Sequence, residues 1–169
     1  MDKRWIYILI ILIIGLSALY MIASSSDAVG HATINVNTFI ITLPDGFNID
    51  GTDKTAATLI NRDTCEELII QDFGKGNSIE KVLSNNTQNN SNSGNYVKID
   101  NETVTYHNIT IQTIYMTSSD NTTNATAYFM KFNHTFTITA NNFNNRDDIN
   151  NNIKYLINSL QRDYKQTQD

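Results

Sequence analysis

The sequence predicts an α+β fold, an antiparallel β-sheet flanked by helices, set behind one N-terminal transmembrane helix. Three observations predict it. Residues 5–23, from Trp5 to Ala23, run for nineteen positions without a charge. A series of short stretches then alternates apolar and polar residues with the period of two that suits a half-buried strand. Two further stretches, around Ile79 and after Asn145, switch to helical spacing.

The N-terminal run, WIYILIILIIGLSALYMIA, would make a helix of about 28 Å at ~1.5 Å per residue, close to the ~30 Å core of a bilayer. Lys3 and Arg4 precede it, and no Lys or Arg follows until Lys54. The positive-inside rule therefore places residues 1–4 in the cytoplasm and the rest of the chain outside the cell membrane. Trp5, Tyr7 and Tyr20 stand where interfacial aromatic anchors are expected. The competing reading is a cleaved signal peptide, with Ala23 and Ser25 as the small residues before a cut. Signal cores usually run about 7–15 residues, which favours a retained anchor.

Residues 24–37 read as a polar connector, residues 38–164 as one folded extracytoplasmic domain, and residues 165–169 as a tail. Beyond residue 23 the chain carries ten basic and sixteen acidic residues, a formal charge of −6. Nucleic acid is excluded as a partner by that balance. Cys65 is the lone cysteine, so no intramolecular disulfide forms. The reading preferred for it is a small buried residue, the other being a thiol used between chains.

Residues 38–43 form the first expected strand, with Phe39, Ile41 and Leu43 on one face, stopped by the turn Pro44-Asp45-Gly46. Residues 55–60 and 67–73 follow as a hairpin. A short helix begins near Asn77, the expected cap, with Ile79, Val82 and Leu83 on one face. Residues 85–95, NNTQNNSNSGN, offer nothing apolar to bury and read mostly as loop. Residues 96–99, 103–107, 109–116 and 125–132 are four further strands. The last is expected to pair residue 132 with 136, 130 with 138 and 128 with 140 around a three-residue loop at 133–135. A final helix over residues 146–164 is predicted by Ile149, Ile153, Leu156, Ile157 and Leu160, with Asn145 as its cap and Asp147 and Asp148 in its first turn.

Asn supplies 24 of the 169 residues, and seven N-x-S/T sequons result, at Asn85, Asn89, Asn101, Asn108, Asn121, Asn124 and Asn133. Chance alone would give about four from this composition. They are the candidate modification sites, as acceptors for N-glycosylation. No catalytic, cofactor-binding or metal site is assigned. His31, His107 and His134 lie 76 and 27 residues apart, without the spacing of a metal motif, and read as surface or structural histidines. The segment NIDGTDK at residues 48–54 fails as a calcium loop, because Gly46 and Ala57 fall at its first and last ligand positions. Glu66 and Glu67 would point to opposite faces of a strand. Ser78 to Lys81 satisfies S-x-x-K but lacks that motif's companions, and a capped helix explains it.

The run Phe39-Ile40-Ile41-Thr42-Leu43-Pro44-Asp45-Gly46-Phe47, the hairpin at 128–140 and Ile157-Asn158-Ser159-Leu160 together resemble PsbP-like domains and the related Mog-type Ran-binding fold. The resemblance spans residues 38–162. It implies an α/β/α sandwich around an antiparallel sheet. Phe47 stands where an aromatic Trp is common, and the photosynthetic role of family members and their ion sites are not carried over. The functional expectation is a non-enzymatic binding or assembly module of the cell envelope, contacting the bilayer through residues 5–23 and an unidentified envelope protein through its domain. A tethered or secreted hydrolase is the alternative. A pocket joining His107 or His134 to a carboxylate and a hydroxyl would favour it. A pilin-like subunit is a third reading, opposed by the polar SSSDAVG stretch after the anchor.

Overall fold

The computed structural model describes residues 32–90 and 96–163. The predicted anchor at residues 5–23 and the tail lie outside them. Among the described residues no helix is long and apolar enough to cross a membrane.

In chain order the elements are β1 (Thr33–Val36), β2 (Phe39–Thr42), β3 (Asn48–Thr52), β4 (Ala56–Asn61), β5 (Glu66–Lys75), α1 (Ile79–Asn90), β6 (Tyr96–Tyr106), β7 (Ile109–Ser118), β8 (Thr123–Lys131), β9 (His134–Phe143), α2 (Arg146–Ser159) and β10 (Gln161–Arg162). Seven strands form one antiparallel sheet in the order β3-β4-β5-β9-β8-β7-β6, and β1-β2-β10 form a second, smaller one.

The core lies on one face of the large sheet. Leu59, Leu68, Ile70, Phe129, Phe136 and Ile138 point there and meet Val36, Phe39 and Ile41 of the small sheet. Helix α2 completes it with Ile149, Ile153, Leu156 and Ile157, all buried. Each such side chain contributes about 1.5–3 kcal/mol relative to exposure. Asn145 caps α2 as expected, its side chain accepting from the Asp148 N–H at 2.8 Å. Helix α1 belongs to the opposite face. Val82 is buried outside the main core cluster, and Thr135, which faces away from Phe136, donates through Oγ1 to the carbonyl of Asn77 just before α1. A mostly antiparallel sheet with a helix on each side is therefore present.

Several sequence expectations are corrected. The connector expected at residues 24–37 contains β1, which pairs with β2 from Thr33↔Thr42 to Val36↔Phe39. Residues 48–52 form β3, paired with β4. Helix α1 runs to Asn90 where a loop was expected, since a nucleated helix adds one hydrogen bond per residue at small cost. Ser78 rather than Asn77 caps it, Oγ accepting from the Lys81 N–H at 3.3 Å. The two strands expected at 96–99 and 103–107 are one, because Asp100 and Asn101 pair with Tyr115 and Ile114 on an edge where polar side chains meet solvent.

The β8–β9 register also differs. Lys131 pairs with His134, Phe129 with Phe136 and Ala127 with Ile138, around a two-residue turn at Phe132 and Asn133. Both turn residues have positive φ, 55° and 64°, the backbone of a type I′ turn, whose twist matches that of the strands. Helix α2 stops at Ser159, not residue 164. Lys131 Nζ takes the carbonyls of Ile157 and Leu160, and the chain then pairs with the free side of β2. Cys65 is exposed, not buried, at φ 59° in the β4–β5 loop.

Candidate functional site

The core stripes of β5 and β9 both become polar at one end of the sheet. Leu68 and Ile70 are followed on their face by Asp72; Ala140, Ile138 and Phe136 are continued by His134. A bulge between Asp72 and Lys75, with Gly74 at φ 81°, lets the two side chains meet across the strands.

His134 Nδ1 lies 2.9 Å from both oxygens of Asp72. Both residues are buried, at 6% and 3% exposure. The carboxylate has further donors: Asn37 Nδ2 at 2.8 Å and the Gly74 N–H at 2.8 Å. Asn37 is positioned by the tight β1–β2 turn, where φ is 54° and its own N–H donates to the Lys54 carbonyl at 2.8 Å. The Asp72 charge is thus matched on several sides, as burial demands. Phe39 meets the His134 ring edge-on at 4.9 Å and stacks on Phe132 at 5.8 Å. With Nδ1 committed to Asp72, Nε2 is the ring nitrogen left to a ligand.

In front of this pair is a cavity of about 230 Å³ lined by Asn37, Thr38, Phe39, Lys75, His134 and Arg162. β10 brings Arg162 here by pairing with Phe39, and its guanidinium donates to the Phe132 carbonyl at 3.0 Å. Nearby, burial holds the Lys131 ammonium below the usual lysine range. A larger depression of about 450 Å³ is lined by Leu43, Phe47 and Ile49 together with Asn48 and Arg62. A third, of about 210 Å³, lies between the β6–β7 hairpin and α2. There Tyr115 donates to Asn150 Oδ1 at 2.6 Å, and burial, then the charge of Glu102, raises its pKa. The His134 cavity is the candidate site, because it alone of the three joins a buried carboxylate–imidazole pair to two cationic side chains.

Among the histidines, His31 lies outside the described residues and His107 stacks on Tyr106 in the β6–β7 turn at 4.3 Å. His134 is structural in its Nδ1 contact and open to the cavity as well. Sequence reasoning missed Asp72 and Asn37 as its partners. The signal was present: Asp72 and His134 stand at the next alternate position of two apolar stripes.

The sequons are scattered. Asn101, Asn108, Asn121 and Asn133 are exposed, and Asn133 lies in the β8–β9 turn just before His134. Asn124 is engaged: Nδ2 donates to the Tyr96 hydroxyl at 3.2 Å and Oδ1 accepts from the Asn142 N–H at 2.9 Å. Asn85 and Asn89 fall on α1.

No protein-family model matches the sequence, and no curated protein matches it. Solved structures do show similarity. The solution structure of cyanobacterial PsbP (CyanoP) from Synechocystis sp. PCC 6803 has a TM-score of 0.45 at 10% identity, over 80% of this chain and 95% of that one. A crystal structure from Bacteroides thetaiotaomicron VPI-5482 has a TM-score of 0.42 at 15% identity, over 78% of this chain and 48% of that one. This chain thus spans about half the length of the Bacteroides protein. Both TM-scores are too low to establish a shared fold.

Proposed function

We propose that this chain is a single-pass, membrane-tethered protein that displays a PsbP-like domain outside the cell membrane and serves there as a non-enzymatic binding or assembly module of the envelope. Residues 5–23, with Lys3 and Arg4 before them, support the tether and its orientation. The observation that carries the binding role is the His134 cavity. Its donors stand in the β1–β2 turn and on β5, β9 and β10, and those of Asn37, His134 and Arg162 are held by hydrogen bonds made before any ligand arrives. Such preorganisation lowers the ordering cost of binding.

The test is site-specific photo-crosslinking in intact cells, with the probe at Thr38 on the cavity rim or at Asn133 in the turn just before His134, and at Lys98 as control. Capture of the same envelope protein from Thr38 and Asn133 alone is expected. Failure to capture any envelope partner from either counts against the reading.

A tethered hydrolase is the second reading, favoured by one observation. The cavity brings His134, backed by Asp72, together with the hydroxyl-bearing Thr38. An imidazole oriented by a carboxylate can serve as a general base. Turnover of simple ester or phosphoester substrates by the full chain, abolished in His134→Gln, would decide for it.

A further inference from the structure

We propose that the His134 cavity holds the phosphate group of a small molecule or headgroup. This rests on the reading of that cavity as the binding site and names what it takes.

The lining is built from donors. Lys75 brings an ammonium, Arg162 a guanidinium, Asn37 an amide and Thr38 a hydroxyl, beside the His134 ring. Phosphate differs from carboxylate in what it asks of a site: a carboxylate is satisfied by one bidentate guanidinium, whereas a tetrahedral phosphate accepts from several separate donors at once. His134 suits both ionic forms of that group. With Nδ1 turned to Asp72, a neutral ring accepts at Nε2 from the P–OH of the monoanion, and an imidazolium donates there to the dianion.

The charge distribution points the same way. The described residues carry nine basic and fourteen acidic side chains, yet Lys75, Lys131 and Arg162 gather around the Phe132 turn and β10. Two carboxylates are close in the chain. Asp72 is occupied by Asn37, Gly74 and His134 behind the cavity; Asp163 follows Arg162, and its N–H donates to the Thr38 carbonyl. At about 230 Å³ the space is below the roughly 300–1,000 Å³ of drug-sized sites, so the ligand is small. Phe39 supplies an apolar wall for whatever carries the phosphate.

The experiment uses the full chain in neutral detergent, titrated with inorganic phosphate at constant ionic strength and followed by calorimetry, with acetate as the comparison anion. Saturable phosphate binding is expected, at least about tenfold tighter than acetate. Lys75→Gln and Arg162→Gln should each weaken it about tenfold or more, while Lys98→Gln, at a distant salt bridge with Asp100, leaves it unchanged. Circular dichroism confirms folding, and Lys75→Gln remains informative if loss of the Arg162–Phe132 contact disturbs the turn.

A second arm places the chain in phosphatidylcholine nanodiscs with or without phosphatidic acid. Competition by phosphatidic acid assigns the phosphate to a lipid headgroup; undiminished binding assigns it to a soluble phosphomonoester. Absence of saturation, equal affinity for acetate, or binding indifferent to both substitutions overturns the proposal. If rim crosslinking still captures a partner, the binding-module reading stands without it; phosphate binding with no crosslinked partner gives the reverse.

Discussion

Asp72 and His134 meet across β5 and β9 with both carboxylate oxygens 2.9 Å from Nδ1, where the core stripes of the two strands run out. The pair joins the fold to the candidate site. Asp72→Ala would leave the His134 ring, the Asn37 amide and the Gly74 N–H without their acceptor in a buried place. A loss of about 3 kcal/mol or more is expected in urea unfolding. A double-mutant cycle with His134→Ala should show coupling well above experimental error; additive losses would mean that the contact contributes nothing specific.

Lys131 closes α2 from the neighbouring strand. Its Nζ reaches the Leu160 carbonyl at 2.9 Å and the Ile157 carbonyl beside it, satisfying two helix-end acceptors. Lys131→Met keeps an apolar stem of similar length and removes the donor. Stability should fall by about 1–2 kcal/mol, with amide exchange accelerating first in the last turn of α2. Unchanged exchange there would show that solvent satisfies the carbonyls equally well.

The Phe132–Asn133 turn explains why the β8–β9 register was hard to read. Tyr128, Met130 and Phe132 alternate convincingly, but so do Ala125, Ala127 and Phe129, and the latter set faces the core. Both faces of β8 are covered around Tyr128, so periodicity could not choose between them. The turn decides, and a bulky Phe at φ 55° hides the signal that Asn-Gly would have given. By contrast, Phe39, Ile41 and Leu43, the β4–β5 hairpin and the α2 stripe were legible, because each has one buried face. β1, β3 and β10 were not: β1 and β3 are edge strands of only four and five residues, and β10 pairs with β2, far away in the chain. Asn133→Gly should stabilise the protein by about 0.5 kcal/mol through easier access to positive φ; destabilisation would mean that the Asn side chain contributes more than its backbone strain costs.

Asp120 organises the β7–β8 turn. Ser118 Oγ, Thr122 Oγ1 and the Thr122 N–H all donate to its Oδ1, and these bonds lower its pKa to about 2. A carboxyl depressed in the folded state favours folding above its unfolded pKa, near 3.8, and loses that contribution as pH falls towards about 2. NMR titration of the carboxyl carbon should find the midpoint near the lower value. In Asp120→Asn the turn amides should no longer respond over that window; a midpoint near 3.8 in the native chain would contradict the turn as described.

The sequons separate by structural engagement. In a glycosylating host, peptide mapping should find Asn108, Asn121 and Asn133 modified ahead of Asn124, whose amide is already committed to Tyr96. Preferential occupancy of Asn124 would require that contact to open.

The tether underlies the whole functional proposal, and protease shaving of intact cells with mass measurement of the membrane-retained fragment tests it most directly. The account predicts that the domain is released while a fragment containing residues 5–23 stays in the membrane. A mature N-terminus near Ser26, or a domain that resists protease until the cells are broken, would contradict it.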